Sequence, residues 1–146
     1  MRKYTLLALA SSLLALAPLS QAANDALYKS LGGKKAIVAV VNDFVGRCAA
    51  DTRINSFFKA TAADPKRLAH FKMELVNQIC QAAGGPCKYT GKDMKAAHAG
   101  MGITSADFDA LVQDLVASLD KFMVKEADKQ ALLGVLGPMK PEIVEK

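Results

Sequence analysis

Residues 84–101 contain the side chain best suited to chemistry, His98, which is one of only 2 histidines in the chain. Paired glycines open this stretch, and residues 92–99 are predicted to form a short helix. On such a helix Met94 and other apolar residues recur at three- and four-residue spacing on the face that carries His98. Among apolar neighbours, a neutral imidazole needs a partner for a ring nitrogen. His98 is therefore either a metal ligand or a core histidine bonded to a backbone carbonyl.

The rest of the chain is predicted to surround this stretch with helices. The helical spacing of apolar residues predicts helices over residues 24–30, 34–49 and 65–83, from the Thr104 cap to about Met123, and from about Asp128 onward. Asp64-Pro65 is a strong helix start, and Gly137-Pro138 is expected to break the last helix. Residues 51–61 are expected to be a loop or a single turn. No segment has the pattern of a strand, so the predicted class is all-α.

The beginning of the chain has the pattern of an export signal. Arg2 and Lys3 precede an apolar run over residues 6–19, and Ser20-Gln21-Ala22 offers small residues for cleavage. The run is too short to span a bilayer comfortably, although an uncleaved anchor is the alternative. We expect residues 1–22 to be a cleavable signal peptide and residues 23–146 to form one domain. The product is then exported to the periplasm or secreted, with no membrane attachment after cleavage.

Charge and cysteine content narrow the function further. Removing Arg2 and Lys3 lowers the count of basic residues from 19 to 17 against 14 acidic ones, a net charge of +3. This mild and dispersed excess, together with the export signal, disfavours nucleic-acid binding. Cys80 and Cys87 flank the paired glycines and can bridge them in an oxidising compartment, which would leave Cys48 buried and free. Sequence alone cannot fix that pairing.

Paired glycines that end two successive helical segments, two adjacent phenylalanines between them and a lone histidine in a short helix form a specific pattern. The sequence resembles the truncated haemoglobins, closest to their group 1, from Leu27 to about Val144. The most specific matches are Leu31-Gly32-Gly33, Asp43-Phe44, Phe57-Phe58, Gly84-Gly85-Pro86, Tyr89-Thr90-Gly91, Met94-Lys95 and Ala97-His98. This resemblance implies a two-over-two helical sandwich around one non-covalent haem b. No Cys-x-x-Cys-His motif is present for covalent c-type attachment.

The resemblance also assigns roles to individual residues. His98 is the expected proximal iron ligand, with its other ring nitrogen oriented by a backbone carbonyl. Phe58 matches the phenylalanine that stacks on the haem ring. Phe44 and Met94 match pocket-wall positions, whereas Ile79 is expected in the outer wall or the ordinary core.

The distal side departs from the usual group 1 pattern. Val45 stands where that group usually has tyrosine, and the two usual polar positions of the next long helix fall on Phe71 and Leu75. The distal pocket is therefore expected to be apolar. A lost hydrogen bond to dioxygen costs about 1–1.5 kcal/mol, or roughly tenfold in dissociation rate. Such a pocket favours nitric oxide and carbon monoxide relative to dioxygen.

His70 leaves a second possibility for the iron. If the alignment of this helix slips by one turn, His70 faces the iron as a distal ligand or a hydrogen-bond donor. Without a slip it lies outside the pocket, beside Lys72. Lys72 and Lys92 are candidates for contacts with the haem propionates.

The leading expectation is a haem protein that reversibly binds a diatomic gas (dioxygen, nitric oxide or carbon monoxide) in the periplasm, as a carrier, scavenger or sensor. The alternatives at the same haem are an enzyme, either a nitric oxide dioxygenase or peroxidase-like, and a six-coordinate electron-transfer protein. No flavin or nicotinamide motif is present, so a separate, unidentified reductase or electron donor is expected. A small exported helical protein without haem is the remaining alternative.

Overall fold

The computed structural model describes residues 25–146, and the predicted signal peptide lies outside them. The described residues contain helices and no strand. The helices are α1 (Ala26–Ser30), α2 (Gly33–Ala50), a 3-10 turn (Asn55–Phe58), α3 (Lys59–Ala62), α4 (Pro65–Ala82), α5 (Met94–His98), α6 (Ser105–Lys121), α7 (Glu126–Leu136), a second 3-10 turn (Gly137–Met139) and α8 (Lys140–Ile143). The prediction of an all-α fold is confirmed. Within residues 25–146, no helix has the length and apolar character needed to cross a membrane.

Two helices begin where the sequence places their caps. The Asp64 carboxylate accepts hydrogen bonds from the amides of Lys66 and Arg67, ahead of Pro65 at the first helical position of α4. Thr104 and Asp107 form a reciprocal capping box at the start of α6. These side chains satisfy amides that no helical carbonyl can reach. They therefore fix the starts of the two helices that follow the connecting loops.

The connection after α2 is more regular than the loop or single turn that the sequence predicts. It forms a 3-10 turn that leads directly into the short helix α3. Ile54, which is 1% exposed, holds the start of this turn in the core, and Phe57 and Phe58 pack against the same core. Burial of these three side chains orders the segment, which has no helical periodicity of its own.

The core divides into two apolar clusters. In the first cluster, helix α2 packs against α4 and α6, and the most deeply buried side chains are Val41, Ile54, Cys48, Cys80, Leu119 and Leu132. The second cluster is smaller and consists of Ile103, Phe108 and Ile143. Among the described residues, Phe57 is the partly buried side chain that packs against both clusters.

The second glycine pair packs tightly against the first helix. Gly84 has a φ of +83°, and a Cβ atom on Gly85 would lie 2.5 Å from the Tyr28 ring and 2.7 Å from the Cys80 sulfur. The Tyr28 amide also donates to the Ala83 carbonyl at 3.0 Å. Only a residue without a side chain allows this approach, because both neighbours are rigid. The chain therefore turns sharply out of α4 and toward α5.

The cysteine pairing agrees with one of the arrangements that the sequence allows. Cys80 and Cys87 are bonded, with an S–S distance of 2.08 Å, and so close the turn after α4. Cys48 is free and buried on α2. Both parts of that expectation are confirmed.

Candidate functional site

His98 is the last residue of α5, and its ring is half-buried. Its Nδ1 lies 2.7 Å from the carbonyl oxygen of Met94, one helical turn earlier. Because a carbonyl oxygen can only accept, Nδ1 carries the proton, and the lone pair of the neutral ring is left on Nε2. No group within residues 25–146 hydrogen-bonds to Nε2. The ring is thus held in the tautomer that a metal ligand needs.

The helix that carries His98 is only five residues long, and the chain ahead of it supplies its anchors. The Asp93 side chain caps α5 by accepting from the Ala96 amide at 2.8 Å. One residue earlier, the Lys92 carbonyl accepts from the Tyr89 hydroxyl at 2.5 Å. Because a helix of this length is not stable by itself, these contacts determine where α5 lies.

Glu74 ties this connection to helix α4. Its carboxylate accepts from the Thr90 amide at 2.9 Å, the Thr90 hydroxyl at 2.8 Å and the Gly91 amide at 3.0 Å. Those donors hold the pKa of Glu74 below its usual value, with the Thr90 amide having the largest effect and burial opposing it. Glu74 is therefore a carboxylate that accepts three hydrogen bonds from the segment ahead of His98. It connects the helix expected on the distal side with the segment that leads to His98.

The expected pocket residues divide between the two clusters. Phe44, Val45 and Ile79 are buried in the first cluster; Phe58, Phe71 and Leu75 are half-buried against it; and Met94 packs against the second. Ile79 faces the packed interior, because it lines a small internal cavity with Leu119 and Leu132. The half-buried members have more apolar surface left for contact with a ligand than the buried ones.

The residues assigned to the distal side are brought together by helix α4. The Phe58 and Phe71 rings lie 6.0 Å apart between centroids, tilted by 52°. Leu75 follows Phe71 by one turn on the same side of the helix and packs on the same cluster. Val45 lies in that cluster on α2. This wall carries no polar side chain from the three positions where the resemblance calls for one.

His70 is exposed to solvent. It lies on α4, one turn before Glu74. Lys72 lines a surface groove between α2 and α4 together with Lys34, and Lys92 is exposed. The iron-ligand and propionate roles considered for these residues stay predictions.

Sequence reasoning missed three residues at the site: Glu74, Gln78 and Met139. The Gln78 amide nitrogen lies 3.3 Å from the Met94 sulfur and 3.5 Å from the Met139 sulfur. Glu74 and Gln78 interrupt the apolar face of α4, and a polar residue at such a position was the available signal. Met139 has no comparable signal, because its contact depends on the turn after α7.

The described residues fit a flat apolar cofactor bound through one nitrogen. The fit rests on the free Nε2 lone pair of His98 and on half-buried apolar side chains from both clusters, with Phe58, Leu75 and Met94 as the main examples. A haem needs such apolar walls and one axial nitrogen ligand. His98 would supply the nitrogen, and these three side chains would supply walls.

Comparison with known proteins agrees with this geometry. Residues 26–145 match the bacterial-like globin family. A group 1 truncated haemoglobin of Mycolicibacterium paratuberculosis is 33% identical over 128 residues, which cover 88% of this chain and 90% of that protein. Another from Tetrahymena pyriformis is 36% identical over 101 residues, 69% of this chain and 79% of its own length. A crystal structure of truncated haemoglobin from the same organism, in the Fe(III) form, matches with a TM-score of 0.74 and 30% identity, covering 82% of this chain and 98% of that one.

Replacing Glu74 by glutamine tests whether this carboxylate holds the segment ahead of His98. Glutamine keeps the size but removes the negative charge, so the Thr90 and Gly91 amides, which both bond to one carboxylate oxygen, are left with a weaker, neutral acceptor. We expect the Thr90 and Gly91 amides to exchange with solvent roughly tenfold faster, by hydrogen-exchange NMR. Glu142→Gln, an exposed change on α8, is the matched control. Unchanged protection of both amides in Glu74→Gln would contradict the assignment.

Proposed function

This chain belongs to the bacterial-like globin family, within the group 1 truncated haemoglobins, and from that premise we propose that it captures a diatomic gas in the periplasm. Membership of this family makes it a haem protein that holds haem b non-covalently and binds gas ligands at the iron. The cofactor supplies the iron and its open coordination position. The protein's own residues supply the axial nitrogen, the apolar walls and the shape of the distal side.

One observation carries the assignment of the ligand. The 2.7 Å hydrogen bond from His98 Nδ1 to the Met94 carbonyl fixes both the tautomer and the direction of the ring. A neutral imidazole with its second nitrogen oriented in this way is a strong axial ligand, because the carbonyl raises its basicity. The half-buried ring leaves its Nε2 without a hydrogen-bond partner within residues 25–146, so this nitrogen is free to bind iron. We therefore assign His98 as the proximal ligand.

The distal side favours nitric oxide or carbon monoxide over dioxygen. Dioxygen gains more than the other two gases from a hydrogen-bond donor, because more negative charge develops on it when it binds to ferrous iron. Val45, Phe71 and Leu75 offer no such donor. Their apolar surfaces also exclude water from the position that a gas would occupy. The role this supports is capture or sensing of nitric oxide or carbon monoxide, with oxygen carriage less favoured.

The cysteines support export to an oxidising compartment. The Cys80–Cys87 disulfide closes the turn after α4, and such bonds persist outside the cytosol. Burial raises the pKa of the Cys48 thiol to about 12, so this third cysteine has little thiolate available for exchange with the disulfide. Together with the signal pattern of residues 1–22, this arrangement supports a periplasmic location.

A six-coordinate electron-transfer protein would require a second protein ligand on the iron, and His70 is the available histidine. Its exposed position on α4 gives this alternative no support. Peroxidase-like chemistry would need a distal base, and the same position of His70 argues against it. The described geometry therefore favours gas binding.

Replacing each histidine in turn tests the assignment of the iron ligand. His98→Gly should lose the haem absorption spectrum of the purified protein, and added imidazole should restore it by filling the vacated position. His70→Ala, the matched control, should keep a five-coordinate ferrous spectrum identical to that of the wild type. A colourless wild type would contradict haem binding. A low-spin wild type that becomes high-spin in His70→Ala would instead support the six-coordinate alternative.

A polar residue at position 75 tests the apolar distal side. Leu75→Gln places an amide donor on the wall and should slow dioxygen dissociation about tenfold, by stopped-flow spectroscopy, because one hydrogen bond is worth about 1–1.5 kcal/mol. Carbon monoxide dissociation should change much less. Leu75→Met, which keeps the volume and apolar character, is the control. Equal dioxygen rates in all three proteins would mean that residue 75 does not face the ligand.

Expression of the full chain in a bacterium tests export. We expect the periplasmic fraction to contain a protein with the intact mass of residues 23–146, with Cys80 and Cys87 oxidised and Cys48 protected from alkylation until unfolding. Deletion of residues 1–22 should leave the product in the cytosol. Recovery of the uncut chain in the membrane fraction would show that the apolar run is an anchor.

A further inference from the structure

The loop that follows His98 is built on two glycines. The chain leaves α5 at Ala99, which has extended angles, and then turns through Gly100 with a φ of +78° and Gly102 with a φ of +66°. The Met101 amide returns to the His98 carbonyl at 3.2 Å. Few apolar contacts hold this loop, because Ala99 and Met101 are exposed. Something other than burial must fix its course.

The fixing group is the carboxylate of Glu145. Its Oε1 accepts from the Gly100 amide at 2.5 Å, and its Oε2 accepts from the Gly102 amide at 2.7 Å. One carboxylate thus bridges two amides that lie two residues apart in the loop, from more than 40 residues away along the chain. Hydrogen bonds to an ionised acceptor are roughly twice as strong as neutral ones. We call this arrangement the Glu145 clamp.

Backbone contacts hold the clamp in place. The Glu145 amide donates to the Ile103 carbonyl at 2.8 Å, and the Ser105 amide donates to the Lys146 carbonyl at 3.3 Å. Ile103 is 8% exposed and belongs to the second cluster, as does Ile143. The segment over residues 143–146 is therefore tied to the core at one end and to the loop at the other. The carboxylate of Glu145 has little freedom to move away.

The clamp completes the support of α5. Ahead of the helix, Asp93 and Glu74 fix the chain; behind it, the two bonds of Glu145 are the side-chain hydrogen bonds that the loop receives within residues 25–146. A five-residue helix without its downstream anchor can tilt or rotate, because it has too few bonds of its own. A change in its direction would move His98, which is its last residue.

We infer that Glu145 is a positioning residue for His98: by clamping the Gly100 and Gly102 amides, it sets the angle at which Nε2 meets the iron, and hence the strength of that bond. This inference rests on the proposed function, since it presupposes haem bound through His98. Glu145 does not contact the imidazole and acts only through the loop. Its effect is therefore on the geometry of the ligand and not on its identity.

The test compares Glu145→Ala and Glu145→Gln with Glu142→Gln in the haem-loaded protein. Glu142 lies on α8, is exposed, and makes no side-chain hydrogen bond within residues 25–146. In Glu145→Ala the Gly100 and Gly102 amides should exchange with solvent tenfold faster or more, because both lose a charged acceptor. The iron–histidine stretching band of the ferrous, ligand-free protein, read by resonance Raman spectroscopy, should shift and broaden. Glu145→Gln, which retains one acceptor oxygen, should show a smaller shift, and the control none.

Three outcomes would overturn the inference. Unchanged amide exchange in Glu145→Ala would mean that the clamp does not hold in solution. Faster exchange with an unchanged iron–histidine band in both variants would mean that the clamp fastens the loop without positioning His98. If Glu145→Ala does not fold, an unchanged band in Glu145→Gln would have the same meaning. A wild-type protein that takes up no haem would overturn the proposed function itself, which the wild-type spectrum alone reveals.

Discussion

The hydrogen bond from His98 Nδ1 to the Met94 carbonyl is the contact around which the site is arranged. It lies within a single helical turn, so it requires residues 94–98 to be helical. That condition is demanding, because a five-residue helix cannot maintain itself in water. Several nearby contacts keep residues 94–98 helical. The capping group of Asp93, the carboxylate of Glu74 and the clamp behind His98 all serve to keep one short helix in one place.

The carboxylates of Glu74 and Glu145 differ in burial and position, but both bind backbone amides of the loops on either side of α5. Glu74 is 7% exposed and comes from the helix on the distal side, whereas Glu145 is exposed and comes from the end of the chain. Each accepts from backbone amides in a loop that has no regular partner for them. Buried or loop amides need an acceptor, and an ionised oxygen is the strongest one that a side chain offers. Because Glu74 also belongs to α4, the distal wall and the proximal segment are mechanically connected.

The proposed distal side is apolar at the positions where the resemblance to group 1 truncated haemoglobins calls for polar residues. Phe71 fills one such position, with its ring tilted against that of Phe58, and Leu75 fills the next. A dry wall of this kind stabilises the fold through burial and offers a bound gas only dispersion contacts. In the proposed function, such a wall would shift the balance among gases without changing the proximal side. The Cys80–Cys87 disulfide meets a separate requirement, since it keeps the turn after α4 closed.

The sequence alone determined the class, the main helices and their starts, since capping at Asp64 and Thr104 and apolar spacing are local properties of neighbouring residues. It also singled out His98, which is one of only 2 histidines and lies on the apolar face of a predicted short helix, and the glycine pair, because adjacent glycines end a helical pattern. Only the tertiary structure decided which loop amides Glu74 and Glu145 would bind. Those contacts join residues at least 16 apart in the chain, and no local pattern specifies them. The same holds for the turn at Phe57-Phe58, which burial orders and local propensity does not.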